Sequence, residues 1–168
     1  MKLRALRTSD MGAILEWRNS CLPTLRTSFP LTYEQQCDWY KNEICNRGAR
    51  TRFWAIVEEI DGTDCLVGYG GIENIQWENS IGEISLLIDP CCHGHGYGTW
   101  AANEIIETAF DELGLFTVYA ECYENNPAVG FWRNVFSKYD GTEAVLPNRK
   151  YHDGRYHDAR YFSASKSC

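Results

Sequence analysis

The sequence predicts a single α/β (α+β) domain built on a mixed sheet, with a helical pair ahead of it and two crossover helices behind. Three observations predict it. Strand-like apolar runs follow one another through the middle of the chain at 53–60, 65–72 and 81–89. Helix-period and strand-period segments then alternate from 97 to 123. The length of 168 residues suits one hydrophobic core, and nothing resembling a linker, repeat or low-complexity tract divides it.

Each element has its own signals. Residues 8–20 read as a helix, with Thr8, Ser9 or Asp10 as the cap and Met11, Ile14, Leu15 and Arg18 at helical spacing. A second helix starts near Thr32, where Gln35 completes a capping box. FWAIVEEI and CLVGYGGI are two strands joined by a DGTD turn. In the next strand, IGEISLLID, alternation separates Gly82, Ile84, Leu86 and Ile88 from Ile81, Glu83, Ser85 and Leu87.

A helix follows the run HGHGYG, with Ala102, Ile105, Ile106, Ala109, Phe110 and Leu113 as its apolar stripe and Gly114 as its stop. LFTVYAEC is a further strand. ENNPAVGFWRNVF is a helix capped at Asn125 or Asn126, with Pro127 in its first turn. NRKYHDGRYHDARYFS closes the chain as a hairpin about Asp153 and Gly154.

Composition excludes several classes of function. A formal charge of −7 argues against a nucleic-acid partner, which requires a concentrated basic surface. No stretch has the apolar character of a signal peptide or the roughly 20 residues of a membrane span, so a soluble, cytoplasmic protein is expected. The eight cysteines then read as free thiols. Cys91, Cys92, His93 and His95 cluster, but without CxxC spacing or a second pair, and no metal site is expected.

The segment that carries chemistry is the turn after residue 89. A strand that ends in a glycine-rich turn and opens into a helix presents unpaired amides and the positive end of the helix dipole, an arrangement that binds pyrophosphate. Gly94, Gly96 and Gly98 permit positive φ and close approach. A dinucleotide fingerprint is excluded because Thr99 stands where the third glycine belongs, and no Gly-Lys-Ser/Thr of a Walker loop follows.

The run Ile88, Asp89, Pro90, then His93, Gly94, His95, Gly96, Tyr97 and Gly98 resembles the signature of GNAT acetyltransferases, a strand, a turn and Q/R-x-x-G-x-G/A before a long helix. His93 stands where that signature has Gln or Arg. ENNPAVGFW, residues 124–132, resembles the family's second segment, whose Asn meets the pantetheine arm and corresponds to Asn125. LEWRN, PLTYEQQ, Trp39 and YHDARY are similar to the branch that acetylates ribosomal-protein N-termini and amino-sugar nucleotides.

That resemblance implies a mixed, mostly antiparallel central sheet flanked by helices and acetyl-CoA as acetyl donor. It assigns the donor's contacts to Leu87, Ile88, His93, Gly94, His95, Gly96, Tyr97, Gly98, Thr99, Asn125 and Trp132, with a backbone amide near Leu87 or Ile88 polarising the thioester carbonyl. The acceptor is a primary amine, and a homodimer is left open.

Glu83 is the first candidate for the general base, with burial expected to lift its pKa; Glu73 and Glu121 stand in reserve. Trp132 occupies the position of the family's acidic Tyr, and an indole does not supply that proton. Either another group such as Tyr123 or Tyr139 supplies it or the thiolate leaves without help from the enzyme, and a catalytically silent acyl-CoA-binding domain is the alternative function. Arg18, Asn19 and Glu73 are candidates for the acceptor side, and His152, His157 and Asp158 for a relay.

Overall fold

The computed structural model describes residues 1–166. In chain order it comprises β1 (Lys2–Ala5), α1 (Met11–Ser20), α2 (Tyr33–Trp39), β2 (Arg52–Ile60), β3 (Thr63–Gln76), β4 (Ile81–Ile88), α3 (Tyr97–Asp111), β5 (Thr117–Tyr123), α4 (Val129–Ser137), β6 (Thr142–His152) and β7 (Arg155–Ser165). The strands form one seven-stranded sheet in the order β1-β2-β3-β4-β5-β7-β6. Among the described residues β4 and β5 pair in parallel and the other five pairings are antiparallel.

Local chemistry accounts for most boundaries. Thr32 caps α2 by accepting from the Gln35 amide, while the Gln35 side chain accepts from the Thr32 amide. Asp61 and Gly62, and again Asp153 and Gly154, take positive φ at the tips of the β2–β3 and β6–β7 hairpins, as tight Asp-Gly turns demand. Gly114, at φ 68°, ends α3 by letting the Leu115 amide return to Ala109 O at 2.9 Å.

Some expectations need correction. The N-terminal strand β1 was not foreseen: only four residues long, it lacks the alternating run by which strands are recognised, and its pairing with β2 defines it. Residues 8–10 form a 3-10 turn ahead of α1, and α2 passes into a π turn at Tyr40–Ile44. Strand β6 begins at Thr142, well before Asn148, because Pro147 and the positive-φ Asn148 sit at a bulge that masks the strand pattern. Helix α4 starts at Val129, after Asn126 has closed a turn onto the Ala128 amide.

The sheet buries both faces. One packs Ile72, Ile84, Val118 and Phe162 against Ile105, Ile106, Val135 and Phe136 of α3 and α4. The other packs Ala55, Val57 and Tyr69 against Ile14 and Trp17 of α1 and partly buried Trp39 of α2. The expected alternation of β4 holds: Ile84 joins the first cluster and Leu87 lies against the second.

Candidate functional site

The ladder between β4 and β5 ends at Glu83↔Tyr119. Beyond it β4 continues with β3 and β5 with β7, so the two strands diverge. A cavity of about 540 Å³ lies in this fork, lined by Ser85, Leu86 and Leu87 of β4, Cys122 and Tyr123 of β5, and the segment after α1.

The fork exposes backbone donors. The Asp89 amide donates to Val67 O at 2.9 Å, and amide direction alternates along a strand. The Leu87 amide therefore belongs to the β3 ladder, while those of Leu86 and Ile88 face the gap. Of the two amides singled out in the sequence, Ile88 is turned toward the fork and Leu87 away from it.

At the open end of the fork, Pro90–Cys92 forms a 3-10 turn in which Asp89 accepts from the Cys91 amide at 2.9 Å. Gly94 and Gly96 follow at φ 81° and 84° and lead into α3. Among the described residues, none of the amides from Gly94 through Thr99 has an acceptor. A Cβ at Gly94 or Gly96 would meet no protein atom, so backbone conformation, not crowding, calls for glycine there. This array at a helix N-terminus is suited to a pyrophosphate.

The side chains of the turn look elsewhere. The His93 ring lies 3.1 Å from Ile88 O, and His95 Nδ1 lies 2.9 Å from His93 O. The Tyr97 hydroxyl donates to Glu58, which raises the phenol's pKa to about 12. Among the described residues, no three His, Cys, Asp or Glu side chains converge as metal ligands.

Inside the cleft, Glu83 is buried rather than facing solvent. Its Oε1 accepts from Arg26 Nη2 at 2.6 Å and its Oε2 from Asn74 Nδ2 at 2.8 Å. Asn74 reaches it because a bulge in β3 places that residue at φ 53°. Glu73 faces Glu83 across the ladder; burial first, then the Glu83 charge, lifts its pKa above the usual carboxylate range, against the pull of Arg26. Glu121, the other reserve carboxylate, also lines the cleft but is bound by Arg149 at 3.0 Å.

The remaining candidates divide. Tyr123, Trp132 and Arg18 line the cavity. Tyr139 does not: its hydroxyl donates to Asn103 at 3.3 Å and its ring packs against Phe110. Asn19 is also outside the lining; its Nδ2 donates to Leu31 O at 3.0 Å and its Oδ1 accepts from the Leu31 amide at 2.9 Å. Asn125 is turned away, into a separate depression of about 370 Å³ that it shares with His157 and Asp158, whereas Asn126 lines the cleft.

Arg26 is the cleft residue that sequence reasoning missed. It lies in the irregular segment between α1 and α2, where periodicity carries no information. The one available signal was an arginine in an apolar and hydroxyl-rich loop, too common to single out.

A fork between two parallel strands, amide donors along one prong and an anion cradle at its mouth define an acyltransferase that draws its acyl group from a coenzyme A thioester. The chain belongs to the GNAT acetyltransferases: the model of the acetyltransferase (GNAT) domain matches residues 1–131. The fold is shared with a ribosomal-protein-alanine N-acetyltransferase from Brucella melitensis, at 19% identity and a TM-score of 0.79 over 99% of this chain and 100% of that one.

A mutant form of the spermidine N-acetyltransferase from Vibrio cholerae is similar at 21% identity and a TM-score of 0.81, covering 98% and 95% of the two chains. An N-acetyltransferase from Staphylococcus aureus Mu50 is similar at 18% identity and a TM-score of 0.77, covering 98% and 97%. No curated protein sequence matches the chain. No helix among the described residues is long and apolar enough to cross a membrane.

Proposed function

We propose that the chain transfers acetyl from acetyl-CoA to a primary amine held beside Glu73 and Glu83, by direct attack with Glu73 as the general base. The observation that carries this reading is continuity: free amides run from Leu86 and Ile88 to the cradle at Gly94–Thr99, and the same cleft holds a carboxyl of raised pKa. Acetyl-CoA supplies an acetyl group already activated as a thioester.

The residues then divide the work. Backbone amides from Gly94 to Thr99 hold the pyrophosphate, with His93, His95 and Tyr97 shaping the turn. The Ile88 and Leu86 amides are donors for the thioester carbonyl, where negative charge develops. Trp132 walls the donor side. Glu73 takes the amine's proton, directly or through one water, because a carboxyl with a raised pKa is better matched to that task near neutral pH. Glu83, with both oxygens engaged, anchors Arg26 at the acceptor end instead. Tyr123, a buried tyrosine of β5 in the cleft wall, supplies the proton for the departing thiolate.

The acceptor is a cationic amine, drawn by Glu73, Glu83 and Glu121 in the cleft wall. A peptide N-terminus, a polyamine and an amino-sugar nucleotide each present such a group, and Arg18, which among the described residues has no carboxylate within ion-pair distance, is placed to meet an acidic part of the acceptor. The decisive test is calorimetric titration with acetyl-CoA followed by thiol-release assays over these amines. Saturable binding and amine-dependent thiol release are expected; absence of acetyl-CoA binding overturns the reading.

A further inference from the structure

The segment that delivers Arg26 to Glu83 is held by the opposite half of the molecule. Lys150 Nζ of β6 donates to Leu25 O and, at 3.4 Å, to Leu22 O. Asn125 Nδ2 donates to Pro23 O at 2.9 Å, and Asn126 Nδ2 to Thr24 O at 3.3 Å. Every carbonyl from Leu22 to Leu25 is thus taken by a side chain more than a hundred residues away, and the next residue is Arg26.

Lys150 is an unusual group for this place. It is buried, and among the described residues no carboxylate lies within ion-pair distance of its ammonium. It also stands over the Tyr123 ring, with Nζ 5.2 Å from the ring centroid. Burial pulls its pKa down. An ammonium taken out of water without a counter-ion is destabilising unless its donors are well used, and here they are used on the backbone that precedes Arg26.

We propose that Lys150, assisted by Asn125 and Asn126, is a positioning clamp that fixes residues 22–25 so that Arg26 stands on Glu83 and sets the charge of the carboxyl pair in the cleft. Lys150 acts through Arg26 and is not a catalytic residue. The proposal rests on the acetyl-transfer reading only for its functional meaning; acetyl-CoA titration tests that reading, and the experiment below tests the clamp alone.

The groups acting on Glu73 are Glu83, Arg26, Ser85 and Arg18, of which Arg26 lowers its pKa. Releasing Arg26 must therefore raise it further. Carbon-13 NMR of labelled glutamate carboxyls, titrated in the intact protein, reads this directly. In Lys150→Met the Glu73 midpoint is expected to rise by about half a pH unit, roughly a threefold change in its acid constant. Lys150→Arg, which keeps the donors, is expected to restore it.

Arg26→Ala is expected to raise the midpoint as well, and the Arg26→Ala/Lys150→Met double variant to match Arg26→Ala alone, since both act through one contact. Asn125→Ser and Asn126→Ser each remove one tether and give the same comparison if Lys150→Met does not fold. An unchanged midpoint in a folded single variant, or full additivity in the double, overturns the clamp.

Discussion

Glu73 and Glu83 face one another across the β3–β4 ladder, yet only Glu83 touches a cation. Two carboxylates on the same face of adjacent strands repel, and one of them relieves the strain by binding its proton more tightly. Arg26 and Asn74 occupy both oxygens of Glu83, whereas burial and the neighbouring Glu83 charge lift the pKa of Glu73.

Glu73→Gln is expected to lower kcat by about 100-fold, the usual contribution of a positioned base. In the unmodified enzyme the ionised carboxyl is the active form. Its pKa is raised, so kcat/KM falls with decreasing pH at a point above the ordinary glutamate value of about 4.3. Glu83→Gln removes a raising charge and frees Arg26 for Glu73, which moves that limb to lower pH. A pH profile of all three proteins checks the direction.

The same shift has a signed consequence for stability. A carboxyl whose folded pKa is raised destabilises the fold as pH rises through the interval between its unfolded and folded values. Glu73→Gln is therefore expected to raise the melting temperature at neutral pH even as it slows turnover, and differential scanning calorimetry measures it.

Charge in the cradle can be altered without breaking its helix. Thr99 is exposed in the first turn of α3, where an acidic side chain favours the helix dipole. Thr99→Glu is expected to keep or raise thermal stability and to weaken acetyl-CoA binding about tenfold, or 1.4 kcal/mol. Gly96→Ala perturbs the same site through strain at φ 84° instead. Calorimetric titration of both separates charge from conformation.

Tyr123→Phe is expected to lower kcat by about 100-fold with the acetyl-CoA dissociation constant within twofold. Tyr139→Phe is the matched comparison, since its hydroxyl donates to Asn103 of α3, outside the cleft lining. Equal rates in the two variants would remove Tyr123 from the mechanism.

Away from the cleft, Asp10 joins β1 to α1. It accepts from Arg4 at 2.8 and 2.9 Å and from the Arg7 amide at 2.8 Å. Burial works against its charge, but these partners prevail and its pKa is lowered. That stabilisation is complete above the unfolded carboxyl pKa of about 3.9 and is lost as pH falls through the lower folded value. Asp10→Asn is expected to cost about 3 kcal/mol at neutral pH, and urea unfolding measures it.

Much of the fold was legible along the chain because its signals are local. The Thr32–Gln35 capping box, the Asp-Gly turns at 61–62 and 153–154, the stop at Gly114 and the β4 alternation all depend on neighbours within a few residues. The cradle was legible for the same reason, since its free amides follow from a strand, two positive-φ glycines and a helix start in direct succession.

The sequence by itself therefore determined the class of fold, the glycine turn with its free amides and the family they belong to. Tertiary structure alone decided the electrostatics of the cleft. Glu83 receives Arg26 from 57 residues away, Asn125 turns to Pro23 and away from the cleft, and Lys150 crosses to Leu22 and Leu25. The physical reason is range: capping, turn chemistry and alternation act over a few residues, whereas a charge responds to whatever side chain the fold brings within a few ångströms, and no periodicity in the chain records that distance.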